Sequence, residues 1–214
     1  MPDCCDPAPY GRFFDEREAK RRLKDYRRNG LDGMATRLLS YLGERGLHGK
    51  TVLEVGGGIG DFQVELLKSG AERTVNVELS GGYEETAREL CDTEGLTGRV
   101  ERRLGDFVEQ AELVEPADVV VLNRVICCYP GMERMMSASV AKTRWLLAIA
   151  VPRDRLLSRM MVKMSNAILR IRGHEFEAFV HPVAGMEAIA SRAGLTGVFA
   201  SEGLVWKGLV FERL

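Results

Sequence analysis

No apolar run in this chain approaches the ~18 residues that a membrane span requires. A mean hydropathy of −0.12 with 45% hydrophobic residues is that of an ordinary soluble globular sequence. The opening MPDCCDPAPYG lacks the basic and apolar regions of a signal peptide, and the two absences together predict a cytoplasmic protein. No repeat, low-complexity tract or linker interrupts the 214 residues, so a single α/β domain is expected over 1–214, large enough for a substantial core. C-x-x-C spacing is missing, as is any histidine pattern to partner it, and adjacent residues rarely supply two ligands of one tetrahedral centre; no metal site is expected. The five cysteines are Cys4, Cys5, Cys91, Cys127 and Cys128. An odd number in two adjacent pairs fits reduced thiols rather than a disulfide framework.

Charge is balanced overall but not locally. Residues 17–28 hold seven basic and two acidic side chains, and residues 153–172 hold six and one. Each segment is therefore +5, which leaves the rest of the chain at −11 against a total of −1. Two solvated helices are one reading of this pattern. The other is that both flank one binding mouth and favour an acceptor bearing carboxylate or phosphate, or docking on anionic lipid. Aromatic residues do not interleave with the basic ones, so nucleic acid is not an expected partner.

From residue 50 onward, strand-like and helix-like patterns alternate. TVLEVGG, RTVNVEL, RVERRL, ADVVVLN and RWLLAIAV read as strands, separated by DFQVELLKSG, GYEETARELCDTEG and RMMSASVAKT as helices. Two further strands end the chain around a glycine turn. The expected fold is an α/β, Rossmann-like, doubly wound and mostly parallel seven-stranded sheet with an antiparallel C-terminal strand. It carries an N-terminal helical lid over 1–46, in which FFDEREAKRRLKDYRR reads as one helix, and a helical insertion over 152–183. In that insertion Leu156, Leu157, Met160, Met161, Met164, Ile168 and Ile171 form an apolar stripe at helical spacing.

The segment VLEVGGGIGDF, residues 52–62, carries the most chemistry. A strand that runs through glycines into a helix lets a ligand approach main-chain N–H groups and a helix N-terminus. The spacing is Gly56-x-Gly58-x-Gly60, with Glu54 inside the strand. It is not G-x-G-x-x-G, because Asp61 stands where the third glycine would, and no Gly-Lys-Ser/Thr follows to make a phosphate loop. This E-x-G-x-G-x-G pattern resembles motif I of class I S-adenosylmethionine (SAM) methyltransferases. Further motifs follow in that family's order: Glu78 and Leu79 ending the second strand, Asp106 and Phe107 after the third, and Asn123 ending the fourth.

The resemblance covers about residues 30–150, and it implies SAM as cofactor and S-adenosylhomocysteine (SAH) as product. It also implies roles. Gly56, Gly58 and Gly60 admit the methionine part, Glu54 positions its amino group, and Glu78 accepts the ribose hydroxyl protons. Asp106 and Phe107 read and stack the adenine. Methyl transfer from a sulfonium is an in-line displacement, so the protein aligns the acceptor, excludes water and, for some acceptors, removes a proton.

Among subclasses, no N-P-P-Y follows the fourth strand, CCYP reverses the Pro-Cys order of cytosine C5 enzymes, and no carboxylate cluster suggests magnesium. A small-molecule acceptor remains. RVICCYP resembles a stretch of the magnesium-protoporphyrin O-methyltransferases, with Cys128 where that family has a histidine. A tetrapyrrole carboxylate is therefore an alternative acceptor, and Tyr10 and Tyr26 are both counterparts for that family's N-terminal tyrosine. Candidate acceptor-side residues are His181, Cys128 and Tyr129; a structural histidine before proline is the alternative for His181. Cys127 and Cys128 are expected to point in different directions, one packing and one facing the cleft. Trp206 and Phe211 are expected in the core. A thiol-assisted metalloid methyltransferase and a non-catalytic SAM-binding module complete the alternatives.

Overall fold

The run Val119–Leu122 is apolar at every position because both faces of its strand are covered. Val119 and Val121 join one buried cluster while Val120 and Leu122 join another. The same split recurs at Leu146, Ala148 and Ala150 against Leu147, Ile149 and Val151. Such double burial makes a central parallel strand read as a continuous hydrophobic run. Each fully buried leucine in it contributes about 2 kcal/mol.

The computed structural model describes residues 8–214, with side chains from Tyr10 onward; Cys4 and Cys5 lie outside the described residues. The strands are β1 (Thr51–Val55), β2 (Arg73–Glu78), β3 (Val100–Leu104), β4 (Ala117–Asn123), β5 (Thr143–Pro152), β6 (Leu195–Glu202) and β7 (Trp206–Arg213). They form one seven-stranded sheet in the order β3-β2-β1-β4-β5-β7-β6. Strands β1 to β5 pair in parallel, and β7 runs antiparallel to both β5 and β6. The order reverses between β1 and β4, where a doubly wound sheet opens a crevice at the carboxyl ends of its strands.

The helices are α1 (Ala8–Phe13), α2 (Glu16–Asn29), α3 (Gly33–Arg45), α4 (Asp61–Lys68), α5 (Glu84–Thr93), α6 (Phe107–Gln110), α7 (Met132–Ala141), α8 (Leu156–Ile171) and α9 (Val183–Arg192). Residues from α2, α3, α4 and α5 fill one face of the sheet; those from α6, α7 and α9 fill the other. The long N-terminal helix expected from sequence is in fact two. Asp15 leaves the helical path and its carboxylate accepts from the Glu18 N–H at 2.9 Å, so a side-chain cap replaces backbone continuity between α1 and α2. Asp32 caps α3 in the same way, accepting from Met34 and Ala35.

Helix α8 has 16 residues and none of them is buried. Among the described residues no helix is long and apolar enough to cross a membrane.

Candidate functional site

After β1 the chain must turn sharply beneath the crossover to β2, and glycine makes this possible. Gly56 has φ +63 and a Cβ there would lie 2.7 Å from Val125 Cγ2, so both conformation and space exclude a side chain. Gly57 has an ordinary φ, yet a Cβ on it would meet the Glu54 carboxylate at 2.5 Å. The E-x-G-x-G-x-G spacing leaves Gly57 as one of its free positions, and the uninterrupted triple glycine is its only signal in the sequence. The turn is held from the second strand. The Gly57 N–H donates to Asn76 Oδ1 and the Gly58 N–H to Glu78 Oε2, each at 2.9 Å. Arg102 on β3 donates to the Gly58 carbonyl at 2.8 Å while pairing with Glu84.

A cavity of about 360 Å³ opens at the carboxyl ends of β1, β2 and β4. Its inner wall includes Gly56, Gly58, Glu78, Leu79, Asp106 and Phe107, and Asn123 borders it from the end of β4. Glu78 accepts from both the Gly58 and the Ser80 N–H groups. Burial raises its pKa, against the lowering effect of those two bonds. Asp106 caps α6 through the Val108 N–H at 2.7 Å and accepts from the Tyr129 hydroxyl at 3.3 Å.

Glu54 and Gly60 do not line the cavity but lie behind the glycine turn. Glu54 is buried, its Oε2 has no hydrogen-bond partner, and its pKa is pushed up to about 8, first by burial and then by Asp61. Asn76 Nδ2 and Asn123 Oδ1 are also buried without partners. Unmet polar atoms of this kind cost stability unless something satisfies them. Arg22, one of the seven basic residues of 17–28, reaches from α2 to line the cavity and sits 3.5 Å from Asp61. Burial works to lower its pKa, but the fields of Asp61, Tyr83 and Glu54 outweigh it and leave it raised.

The outer wall is built by α1 and by the segment after α8. Phe13 stacks on Phe176 with ring centroids 4.5 Å apart, and Tyr10 and Phe14 meet Phe176 edge-on. The Ser80 hydroxyl donates to the Phe14 carbonyl, which fastens this aromatic lid to the loop after β2. Tyr10 donates to the Cys128 carbonyl at 2.7 Å. Tyr26, the other N-terminal candidate, lies elsewhere and donates to Glu65. The structure thus brings Tyr10, not Tyr26, to Cys128.

Both Cys127 and Cys128 border the cavity, with Cys127 buried and Cys128 half-buried. Their sulfurs are 3.8 Å apart and both thiols point to the Arg124 carbonyl, at 3.4 and 3.6 Å. The expectation that they diverge is therefore corrected: a 3₁₀ turn over Ile126–Cys128 curls the two thiols towards one acceptor. The bond between them lowers the pKa of Cys127 and raises that of Cys128, so Cys128 keeps its proton. Arg124, at φ +64, turns the chain at this point. Its guanidinium pairs with Asp32 at 2.7 Å and covers the Trp206 ring at 4.5 Å. Trp206 accordingly lines the cavity while packing, half-buried, against the core cluster on one face of the sheet, whereas Phe211 is buried.

His181 does not line the cavity. Its Nε2–H donates to the Tyr129 carbonyl at 2.9 Å, and burial lowers its pKa. Together with the Phe179 N–H, which donates to the Cys127 carbonyl at 2.7 Å, it ties the segment after α8 to the loop after β4. The structure thus sets His181 as an anchor beside the cavity rather than in its lining. The basic residues of α8 are absent from the cavity wall as well, so the two +5 segments do not share this mouth.

No family model matches the chain. Its fold is that of the class I SAM-dependent methyltransferases. Within that class it aligns with the magnesium protoporphyrin IX methyltransferase of Synechocystis PCC 6803 with bound SAH, at a TM-score of 0.75 and 16% identity over 98% of this chain and 100% of that one. The same enzyme with bound SAM gives a TM-score of 0.73. An N,N-8-amino-8-demethyl-D-riboflavin dimethyltransferase from Streptomyces davawensis gives 0.61 at 20% identity, over 85% of this chain and 54% of its own.

Proposed function

We propose that this protein is a SAM-dependent methyltransferase acting on a small-molecule acceptor enclosed between the aromatic lid and the end of β4. The observation that carries the reading is the convergence of the glycine turn, Glu78, Asp106 and the unpartnered Asn123 Oδ1 on one crevice, with the buried Glu54 carboxyl one layer behind it. These groups fit SAM: a turn open to close approach, a carboxylate for paired hydroxyls, and buried polar atoms awaiting partners. SAM would supply a methyl group already activated on a sulfonium.

The chain's own residues then bind, orient and shield. Gly56 and Gly58 leave room for the methionine portion, and Arg22 offers a cation for its carboxylate. Glu54, one layer back, balances the ammonium by its field or through a water. Glu78 takes the ribose, and Asp106 with Phe107 takes the adenine. Phe13, Phe14 and Phe176 exclude water from the reacting atoms.

On the acceptor side the wall is formed by Tyr10, Phe13, Cys128, Tyr129, Phe176 and Ala178. Among the described residues it presents two hydroxyls and a thiol but no histidine, and the nearby Asp106 carboxylate is engaged by the Tyr129 hydroxyl and the Val108 N–H. Such a wall suits an acceptor whose nucleophile is already anionic at neutral pH, as a carboxylate is, since no proton then has to be removed. A tetrapyrrole carboxylate is the specific form of this reading. It is supported by the full-length similarity to the Synechocystis enzyme and by the meeting of Tyr10 with Cys128.

Calorimetry with SAM and SAH, followed by measurement of SAH release over carboxylate and non-carboxylate acceptors, tests the proposal. Binding that weakens at least tenfold in Glu78→Ala, with turnover on a carboxylate acceptor, supports it. Tight SAM binding without turnover on any acceptor points to the non-catalytic module. Turnover only on amines or phenols discards the carboxylate, and turnover of trivalent arsenic that needs the cysteines restores the metalloid reading.

A further inference from the structure

Helix α8 has its apolar stripe on the wrong side for a core. At about 100° per residue, Ser158, Val162, Asn166 and Leu169 fall on one side, and these are its half-buried positions. Asn166 fixes that side to the body, donating to the Ala178 carbonyl at 2.8 Å and accepting from the Ala178 N–H at 3.0 Å. Leu157, Met160, Met161, Met164, Ile168 and Ile171 fall opposite and are 44% to 86% exposed. Scattered surface leucines need no explanation, but six large apolar side chains on one helix face do.

The charge on the helix selects the occupant. No acidic residue lies within Leu156–Ile171, while Arg159, Lys163 and Arg170 follow one flank of the stripe and Arg155 and Arg172 bracket it. Arg159 pairs with Asp154, Arg170 with Glu177 and Arg155 with Glu202, all through exposed contacts that hold little energy. Among the described residues Lys163 and Arg172 have no ion pair. A second copy is a poor cover, because an antiparallel two-fold pairing would set Lys163, near the middle of the helix, against itself. Sixteen residues are also too short to span a bilayer. An apolar face with a cationic flank is, however, the pattern of a helix that lies in the lipid interface.

We propose that α8 docks the protein on an anionic lipid surface, its stripe sunk among the acyl chains and Lys163, Arg159 and Arg170 at the headgroups. Docking is independent of the methyl-transfer reading, because α8 forms no part of the cavity wall.

The test is sedimentation of the full chain with vesicles of phosphatidylcholine alone and of phosphatidylcholine mixed with phosphatidylglycerol. Binding to the mixed vesicles should exceed binding to the neutral ones by about tenfold and fall with salt. Met160→Glu with Met164→Glu should lower it by a further tenfold or so while the circular dichroism spectrum stays unchanged, since both side chains face solvent. Arg159→Glu with Lys163→Glu should reduce binding to the mixed vesicles down to the neutral level. No sedimentation with mixed vesicles, or undiminished binding in the methionine variant, overturns the proposal. So does a dimer in solution that the methionine variant disperses without any vesicle binding, because the stripe then belongs to a second copy.

Discussion

Glu54 is a carboxyl group held in the wrong charge state for its neighbourhood. Its folded pKa of about 8 stands above the ordinary 4.5. The folded chain therefore holds a proton there that the unfolded chain has lost between those two values. Since the unfolded state binds fewer protons in that window, Glu54 makes stability fall as pH rises from about 5 to 8. A ligand that brings a positive ammonium near should reverse the preference and expel the proton. Calorimetry near neutral pH, in buffers of different ionisation enthalpy, should then show proton release on SAM binding that vanishes in Glu54→Gln. Equal enthalpies across the buffers would contradict this.

Tyr10 and Cys128 belong to the same scale. On the proposed reading both help to position the acceptor, so Tyr10→Phe and Cys128→Ser should lower turnover by about tenfold or more and leave SAM affinity within about twofold. A change confined to SAM affinity would remove both from the acceptor wall.

At the scale of elements, the lid is an aromatic clasp between α1 and the segment after α8. Phe176→Ala removes the ring that Tyr10, Phe13 and Phe14 all touch. Loss of these contacts should raise the acceptor KM roughly tenfold, and because Phe176 is itself buried the melting temperature should fall as well. A large fall in melting temperature with an unaltered KM would make Phe176 a packing residue only. The charged helices behave differently from what their composition suggests. Helix α2 sends Arg22 into the cavity, whereas the basic residues of α8 face away from it. Charge reversal at Arg155, Arg159 and Lys163 should therefore leave the acceptor KM unchanged in vesicle-free assays; a steep rise would place α8 at the mouth after all.

For the whole molecule, the unmet polar atoms of Glu54, Asn76 and Asn123 lie beside the junction of β1, β2 and β4. Of these only Asn123 borders the cavity, and a ligand that fills the cavity and meets it binds only the folded state. SAH at about a hundred times its dissociation constant should then add about 2.7 kcal/mol, which for a chain of this size is a rise of roughly 5–10 °C in melting temperature. Differential scanning fluorimetry measures this directly, and no shift with saturating SAH would argue against a nucleoside site.

The sequence by itself determined the strand and helix alternation, because periodicity and glycine punctuation are local signals. It also placed Gly56, Gly58, Glu78, Asp106, Phe107 and Asn123, since these stand at strand ends whose order a doubly wound sheet dictates. The roles of side chains that meet across long separations were not legible in it. Tyr10 and Cys128 are 118 residues apart and Arg22 and Asp61 are 39 apart, and no spacing rule brings such pairs together. Nor does helical periodicity say which way an amphipathic helix faces. The stripe of α8 is legible in its sequence, but only the fixing of Asn166 to Ala178 turns that stripe to solvent. The same holds for His181 and Trp206: a ring is a core residue, an anchor or a cavity wall according to what the tertiary structure sets beside it.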